Sequence, residues 1–404
     1  MNKIFLTALC FVAVIFNSFS QEKPEAFKSS PVTATYSDKG LELKSASGNF
    51  SSSVGIRFQF RFFTPYDADP RSIEGFTTDV RPTFYIRRAR LKIKGHAWRD
   101  YLKYNFEYDF PTSTLLNAFM KVEKWKGFNV MIGQYKAPFN RERVISSAEE
   151  TMIERSIVNR AFTIDRQLGS TFYGNFGAES VANFSYWASV YTGVGILGTV
   201  NDDDNMMYAG RFQWNFAGSP IDIGESDSKV SENDGLRGAI AFAAATNISP
   251  YTRFSSSGGG FLDPFEEFLR GEPGQYKVDQ WAEDLVLKYK GLTLLQELHI
   301  KTVDDRVNDL IIDMRGIFGQ VGFYPGYFFD GVTKKLQFAF RYAYDDENTS
   351  DNVTTYRDEW TFGVNYYLNG FRNRLQTDFS LTNLHLPDQT INASRFRIQW
   401  DITF

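Results

Sequence analysis

The 404-residue chain has a single cysteine, Cys10, and it lies inside the first apolar run. With that run removed, disulfides and thiol chemistry are excluded. Histidine is nearly as scarce: His96, His299 and His385 stand far apart, and there is neither a His-Glu-x-x-His step nor a paired cysteine. No metal site and no cofactor is expected from such a set. Positive charge does not prevail, since 44 Lys and Arg face 48 Asp and Glu for a formal net charge of -4. That balance argues against a nucleic-acid partner. Beyond the start, no stretch has 18 consecutive apolar residues, which excludes a membrane-crossing helix.

What is present begins with an export signal. Lys3 precedes an apolar run from Ile4 to Phe16, and Ser18-Phe19-Ser20 precedes Gln21. A basic start, an apolar core too short to span a bilayer and small residues at minus three and minus one mark residues 1–20 as a signal peptide, cleaved near Ser20-Gln21. Cleavage removes only Lys3 as a charge, so the net charge goes from -4 to -5. Aromatic residues are 17% of the chain, yet mean hydropathy is only -0.33. An exported, aromatic-rich and moderately polar chain fits a transmembrane β-barrel, where half the strand positions face lipid and half face water.

Residues 21–53 are polar, with Pro24, Pro31 and many serines, and read as a periplasmic lead-in with one short hairpin, Leu41–Lys44 and Asn49–Ser53. Alternation governs residues 54–404, the barrel domain. In the first strand Ile56, Phe58, Phe60 and Phe62 share one face, and Arg57, Gln59 and Arg61 the other. The next places Tyr85, Arg87, Ala89, Leu91 and Ile93 opposite Arg88, Arg90, Lys92 and Lys94. The last alternates Phe396, Ile398, Trp400, Ile402 and Phe404 with Arg395, Arg397, Gln399, Asp401 and Thr403. Sixteen such strands fit, with short turns after even strands and longer loops after odd ones. The segment 217–234 breaks that asymmetry and could hide two more strands. The expected fold is therefore all-β: a 16-stranded antiparallel transmembrane barrel of the Gram-negative outer membrane, among its lipids and lipopolysaccharide.

The longest interruption in the first half is Lys136–Gly169, where Ser147 and Glu150 form a capping-box signature and Met152, Ile153, Ile157 and Val158 recur at helical spacing. It reads either as a helical constriction loop folded into the barrel mouth or as an amphipathic surface helix. A sixteen-stranded lumen is wide enough to need narrowing, which favours the first. On that reading Arg141, Arg143, Arg160 and Arg166 would reach permeating anions.

Three stretches resemble the phosphate-selective porin O and P family: KGLELKSASGNFSSSVGIRFQF, FYIRRARLKIKG and IGQYKAPFNRERVISSAEETMIERSIVNRAF…RQLG. The last is the most specific, through Gly133, Gln134, Pro138, Phe139, Glu154, Arg155, Asn159, Arg160 and Phe162. The chain departs where the family often has a Gly-Arg-Asp-like step and this sequence reads Asp165-Arg166-Gln167. The resemblance implies a sixteen-stranded barrel, usually a homotrimer, that conducts small anions, phosphate among them.

If the last strand pairs with the first, Arg57, Arg61, Arg88, Arg90, Lys92, Lys94, Arg395 and Arg397 form one basic lumen wall that attracts anions. Lumen charges of both signs, with Glu107, Asp109, Glu123, Asp284, Glu297 and Glu359, could equally just hydrate a pore. The runs Asn201–Asn205 and Asp345–Glu347 could hold calcium, or be solvated loop tips. The competing functions are a barrel enzyme of the phospholipase kind, for which His299 is the inward strand histidine, and a structural barrel without an open lumen.

Overall fold

The computed structural model describes residues 30–404 apart from 38–39, 68–69, 71–74, 77–80, 178–181, 197–200, 202–203, 231–234, 253, 256–257, 260–270 and 347–354. Sixteen antiparallel strands form the wall. They are β1 (Phe50–Thr64), β2 (Thr83–Ala97), β3 (Leu102–Asp109), β4 (Thr114–Val122), β5 (Asn129–Lys136), β6 (Arg166–Phe176), β7 (Asn183–Tyr191) and β8 (Met207–Ala217). The second half comprises β9 (Arg237–Ser249), β10 (Tyr276–Tyr289), β11 (Leu292–Asp305), β12 (Leu310–Phe323), β13 (Leu336–Asp346), β14 (Tyr356–Asn369), β15 (Asn373–His385) and β16 (Thr390–Thr403). The barrel closes where β16 pairs with β1, from Phe396 opposite Thr64 to Thr403 opposite Arg57. Phe404 completes the seam by exchanging backbone hydrogen bonds with Ile56 at 2.9 and 3.3 Å. Among the described residues no helix is long and apolar enough to cross a membrane.

Alternation decides which face is which. On β16, Arg395, Arg397, Gln399 and Asp401 are buried inside, while Phe396 and Trp400 are exposed outside. An arginine turned toward lipid would cost roughly 2–4 kcal/mol at the midplane, so the lumen receives the charges. On β2 the register departs from strict alternation. A bulge opposite Gln59 and Phe60 leaves Arg87 without a register partner. Tyr85 and Arg87, expected on the lipid face, therefore turn inward: Tyr85 donates to Asp67, and Arg87 donates to Glu154 at 3.0 Å. The extra residue shifts the period by one, and only the pairing partner reveals it.

The lead-in hairpin pairs Leu41–Lys44 with Ser51–Val54, as expected, but Ser51–Val54 belong to β1. A further strand, Val32–Ser37, flanks it. The segment 217–234 hides no strand among its described residues. It folds inward from the end that carries the C-terminus, periplasmic in an outer-membrane barrel. Ile221, Ile223, Ser226, Asp227 and Ser228 are all buried there.

Candidate functional site

The third external loop, residues 137–165, leaves β5 and fills much of the lumen. Close packing begins on β5 itself, where Gly133 has a positive φ of 129° and a Cβ would meet the Ala118 carbonyl oxygen at 2.3 Å. Only two short helices form in the loop, α1 (Arg141–Val144) and α2 (Val158–Phe162). The helix expected from the capping box at Ser147 is absent, because wall side chains compete for its groups. Ser147 Oγ accepts from Arg57 at 2.8 Å and from Arg90 at 3.3 Å, and Glu150 pairs with Arg155 at 2.5 Å. The Glu150 carbonyl accepts from Arg374 at 2.6 Å, Thr151 from Asn365 at 2.8 Å and Glu154 from Arg341 at 2.9 Å. Backbone oxygens held by the wall are not free for an intrahelical ladder.

The wall also supplies the caps of the helices that do form. Glu297 accepts the Glu142 amide at 2.6 Å and the Asn140 side chain at 3.1 Å, a carboxylate at the start of α1. Lys301 and Gln280 donate to the Ala161 and Phe162 carbonyls, both at 2.9 Å, at the end of α2. The apolar face of α2 lies on a wall that is itself apolar, with Leu295, Val303, Ile312, Met314 and Phe318 in one buried cluster with Val158 and Phe162. A glycine makes room: a Cβ at Gly316 would meet Val158 at 2.6 Å and Phe162 at 2.8 Å.

The basic wall is contiguous across β15, β16, β1 and β2, but most of its cations are engaged. Three guanidiniums converge on one loop carboxylate, Glu154: Arg61 at 2.7 Å, Arg87 at 3.0 Å and Arg88 at 3.2 Å. Burial opposes ionisation there, but Arg88, Arg61 and Arg87 outweigh it and hold the Glu154 carboxyl well below the usual range. Arg61 also pairs with Asp67 at 2.8 Å, Arg395 with Glu359 at 3.1 Å, and Arg397 with Asp378 at 2.7 Å. Arg90 divides between Asp109 at 2.8 Å and Glu107 at 3.2 Å.

The loop arginines occupy different surroundings from one another. Arg141 is fully buried away from the basic wall and pairs with Asp284 on β10 at 3.1 Å. Arg143 pairs with Asp165 inside the loop. Arg160 is exposed on α2, and Arg166 donates to Asn117 at 2.9 Å. Of the two acidic runs, Asp345 is committed to Arg357, and Asn201–Asn205 falls partly outside the described residues.

The inward turn at 218–230 locks onto the loop from the opposite end. Thr151 donates to Asp227 at 2.9 Å, and Ser226 donates to the Glu149 carbonyl at 2.5 Å. Glu225 is held by Lys288 at 2.7 Å and Arg237 at 2.8 Å. Loop and turn together obstruct the β9–β15 side of the lumen.

Among the described residues, open space lies along β2–β7. A cavity of about 410 Å³ is lined by Arg90, Lys92, Lys121, Lys126, Lys136 and Arg166, against Glu107, Glu123 and Asp222. A second, of about 470 Å³, continues toward the lead-in hairpin, sharing Asn105, Phe119, Lys121 and Glu123 and adding Lys44, Lys94 and Lys103. Lys121, Lys126 and Lys136 were not singled out by sequence reasoning. Lys121 shares its face of β4 with Asn117 and Phe119, so extending the alternation rule to that strand would have found it, whereas Lys136 has the parity of the exposed Ile132 and alternation would have missed it.

Residues 64–231 match the model of the family described as phosphate-selective porin O and P, a span that includes both the loop and the inward turn. No curated protein matches the chain. Among solved structures, the trimer form of OmpT, an outer membrane protein of Vibrio cholerae, is similar at a TM-score of 0.56 and 10% identity, covering 88% of this chain and 99% of that one. The anion-selective porin from Comamonas acidovorans is similar at 0.55 and 10% identity, covering 88% and 100%. The outer membrane channel DcaP of Acinetobacter baumannii is similar at 0.54 and 11% identity, covering 89% and 99%. At such identities these likenesses establish the barrel fold.

Proposed function

We infer that the protein is an outer-membrane porin through which small hydrophilic solutes diffuse passively, with anions preferred. The observation that carries this is the charge of the open cavity, where six cations face three acids. A fixed positive excess in a confined aqueous path raises the local concentration of anions and lowers that of cations. The matching family's description names phosphate, which makes phosphate or a similar oxyanion the solute to test first. The trimer form of the Vibrio cholerae protein supports a homotrimer in the same way.

The enzyme reading finds less support. His299 meets Glu297 at 3.0 Å and packs against the rings of Phe139 and Phe162, a position that anchors the loop base inside the lumen. The wall cations differ in role. Arg57, Arg61 and Arg88 hold the third loop and Arg395 and Arg397 also donate to the Asp67 carbonyl, whereas Lys92, Lys94, Lys121 and Arg166 line the path with Arg90, which reaches Ser147 as well.

Reversal potentials across planar bilayers in asymmetric salt test this, with phosphate then added to one side. The Lys92→Glu, Lys121→Glu double variant takes the nine charges that line the first cavity from a net of about three positive to about one negative, and should reverse the preference. An unchanged reversal potential would remove the anion path from this cavity.

A further inference from the structure

We propose that the inward turn at 218–230 is half of the constriction, and that Asp222 on it is a specificity-determining residue that disfavours multiply charged anions. The inference rests on the channel reading above. Its basis is a contrast within a few residues of chain. Ile221 and Ile223 are buried, at 1% and 5% exposure, while Asp222 between them is exposed to the cavity it lines.

The carboxylate is presented by a rigid frame. Gln213 donates to the Ile221 carbonyl at 2.6 Å, and the Ile221 amide donates to Asn215 at 3.1 Å. Arg141 donates to the Asp222 carbonyl at 2.7 Å, which ties the turn to α1 of the external loop. The Asp222 side chain accepts only the Gly224 amide, at 2.8 Å, among the hydrogen bonds of the described residues. Its neighbours Glu225 and Asp227 are paired or hydrogen-bonded away from the path. A fixed carboxylate is therefore placed in a basic passage, where it subtracts from the field that draws anions in.

Valence makes the effect specific. A unit charge about 10 Å away, well inside the Debye length of dilute salt, changes the weight of a univalent ion by about twofold, and that of a divalent ion by the square, about fourfold. Asp222 should thus cost sulfate or hydrogenphosphate more than chloride.

Cysteine substitution gives the test, because Cys10 in the expected signal peptide is the only other cysteine. The Asp222→Cys channel is recorded before and after reaction with a sulfonate-bearing or an ammonium-bearing methanethiosulfonate. Each comparison is made on a channel already assembled, so folding does not confound it. Because the weight of potassium falls about twofold at the same time, the neutral variant should raise the chloride-to-potassium ratio about fourfold and the sulfate-to-potassium ratio about eightfold. The anionic reagent should restore both, and the cationic reagent should raise both again. If neither reagent moves either ratio while Lys92→Glu, Lys121→Glu still does, Asp222 lies outside the path and the proposal falls, with the channel reading intact. If the lysine variant is silent too, both readings fall.

Discussion

Replacing Glu154 by glutamine removes one charge and leaves the shape almost unchanged, which isolates the docking contact of the external loop. Three guanidiniums lie within 3.2 Å of this carboxylate, and their side chains are 0%, 33% and 6% exposed for Arg61, Arg87 and Arg88. Glu154 itself is 21% exposed, so solvent screens part of the attraction. Breaking a buried pair from one side typically costs 3–5 kcal/mol, and the partial exposure puts the expected loss near the lower bound, about 3 kcal/mol. That is a shift of roughly a hundredfold in the balance between docked and undocked loop. The freed arginines would then face the lumen. Single-channel recording should show a larger or noisier conductance and a higher anion-to-cation ratio, while Glu149→Gln, on a half-buried neighbour, should match the parent. The pH dependence has a definite sign. A carboxyl held below its usual range contributes stability that is present above the unfolded value and lost only as pH falls through the folded one. Conductance should accordingly stay level from pH 7 to about 5 and rise only in stronger acid. A Glu154→Gln channel with the parent's conductance and selectivity would refute the docking argument.

Two further outcomes follow from packing. Gly316→Val places methyl groups where Val158 and Phe162 already sit, so α2 must leave the wall; conductance should rise, and limited proteolysis should cut in 137–165 where the parent resists. Deleting Phe404 removes both backbone bonds to Ile56 and an aromatic ring 49% exposed on the lipid side; the fraction assembled in the outer membrane, read by heat-modifiable mobility on gels, should drop severalfold.

Alternation is a property of neighbouring residues, and so the barrel was legible strand by strand in the sequence. Arg395, Arg397, Gln399 and Asp401 could face only water, whatever lay across from them. The contents of the lumen follow from distant pairings. Ser147 looks like a helix cap until Arg57, 90 residues away, takes its hydroxyl. Glu297 caps α1 from 155 residues away, and no local pattern encodes that. The bulge at Arg87 was hidden for the same reason, since it exists only relative to β1. Charge composition misled in a particular way. A run of arginines on one wall suggests an anion surface, but guanidiniums also suit carbonyls and carboxylates, and here the nearest carboxylates belong to the protein.

This division of labour bears on selectivity. Arginine, with its planar fork, holds the loop at Glu154 and at backbone oxygens along β1, β2, β13 and β15. Lysine, a compact and strongly hydrated charge, lines the proposed path at positions 92, 121 and 126, while Lys136 donates to the Val144 and Ile145 carbonyls of the loop. A solute that binds through hydrated point charges can also leave, whereas one gripped bidentately by several guanidiniums would be retained. Conduction requires attraction weak enough to release. Placing the strong binders on the protein's own carboxylate and the weaker ones on the path meets both demands with cations of one sign.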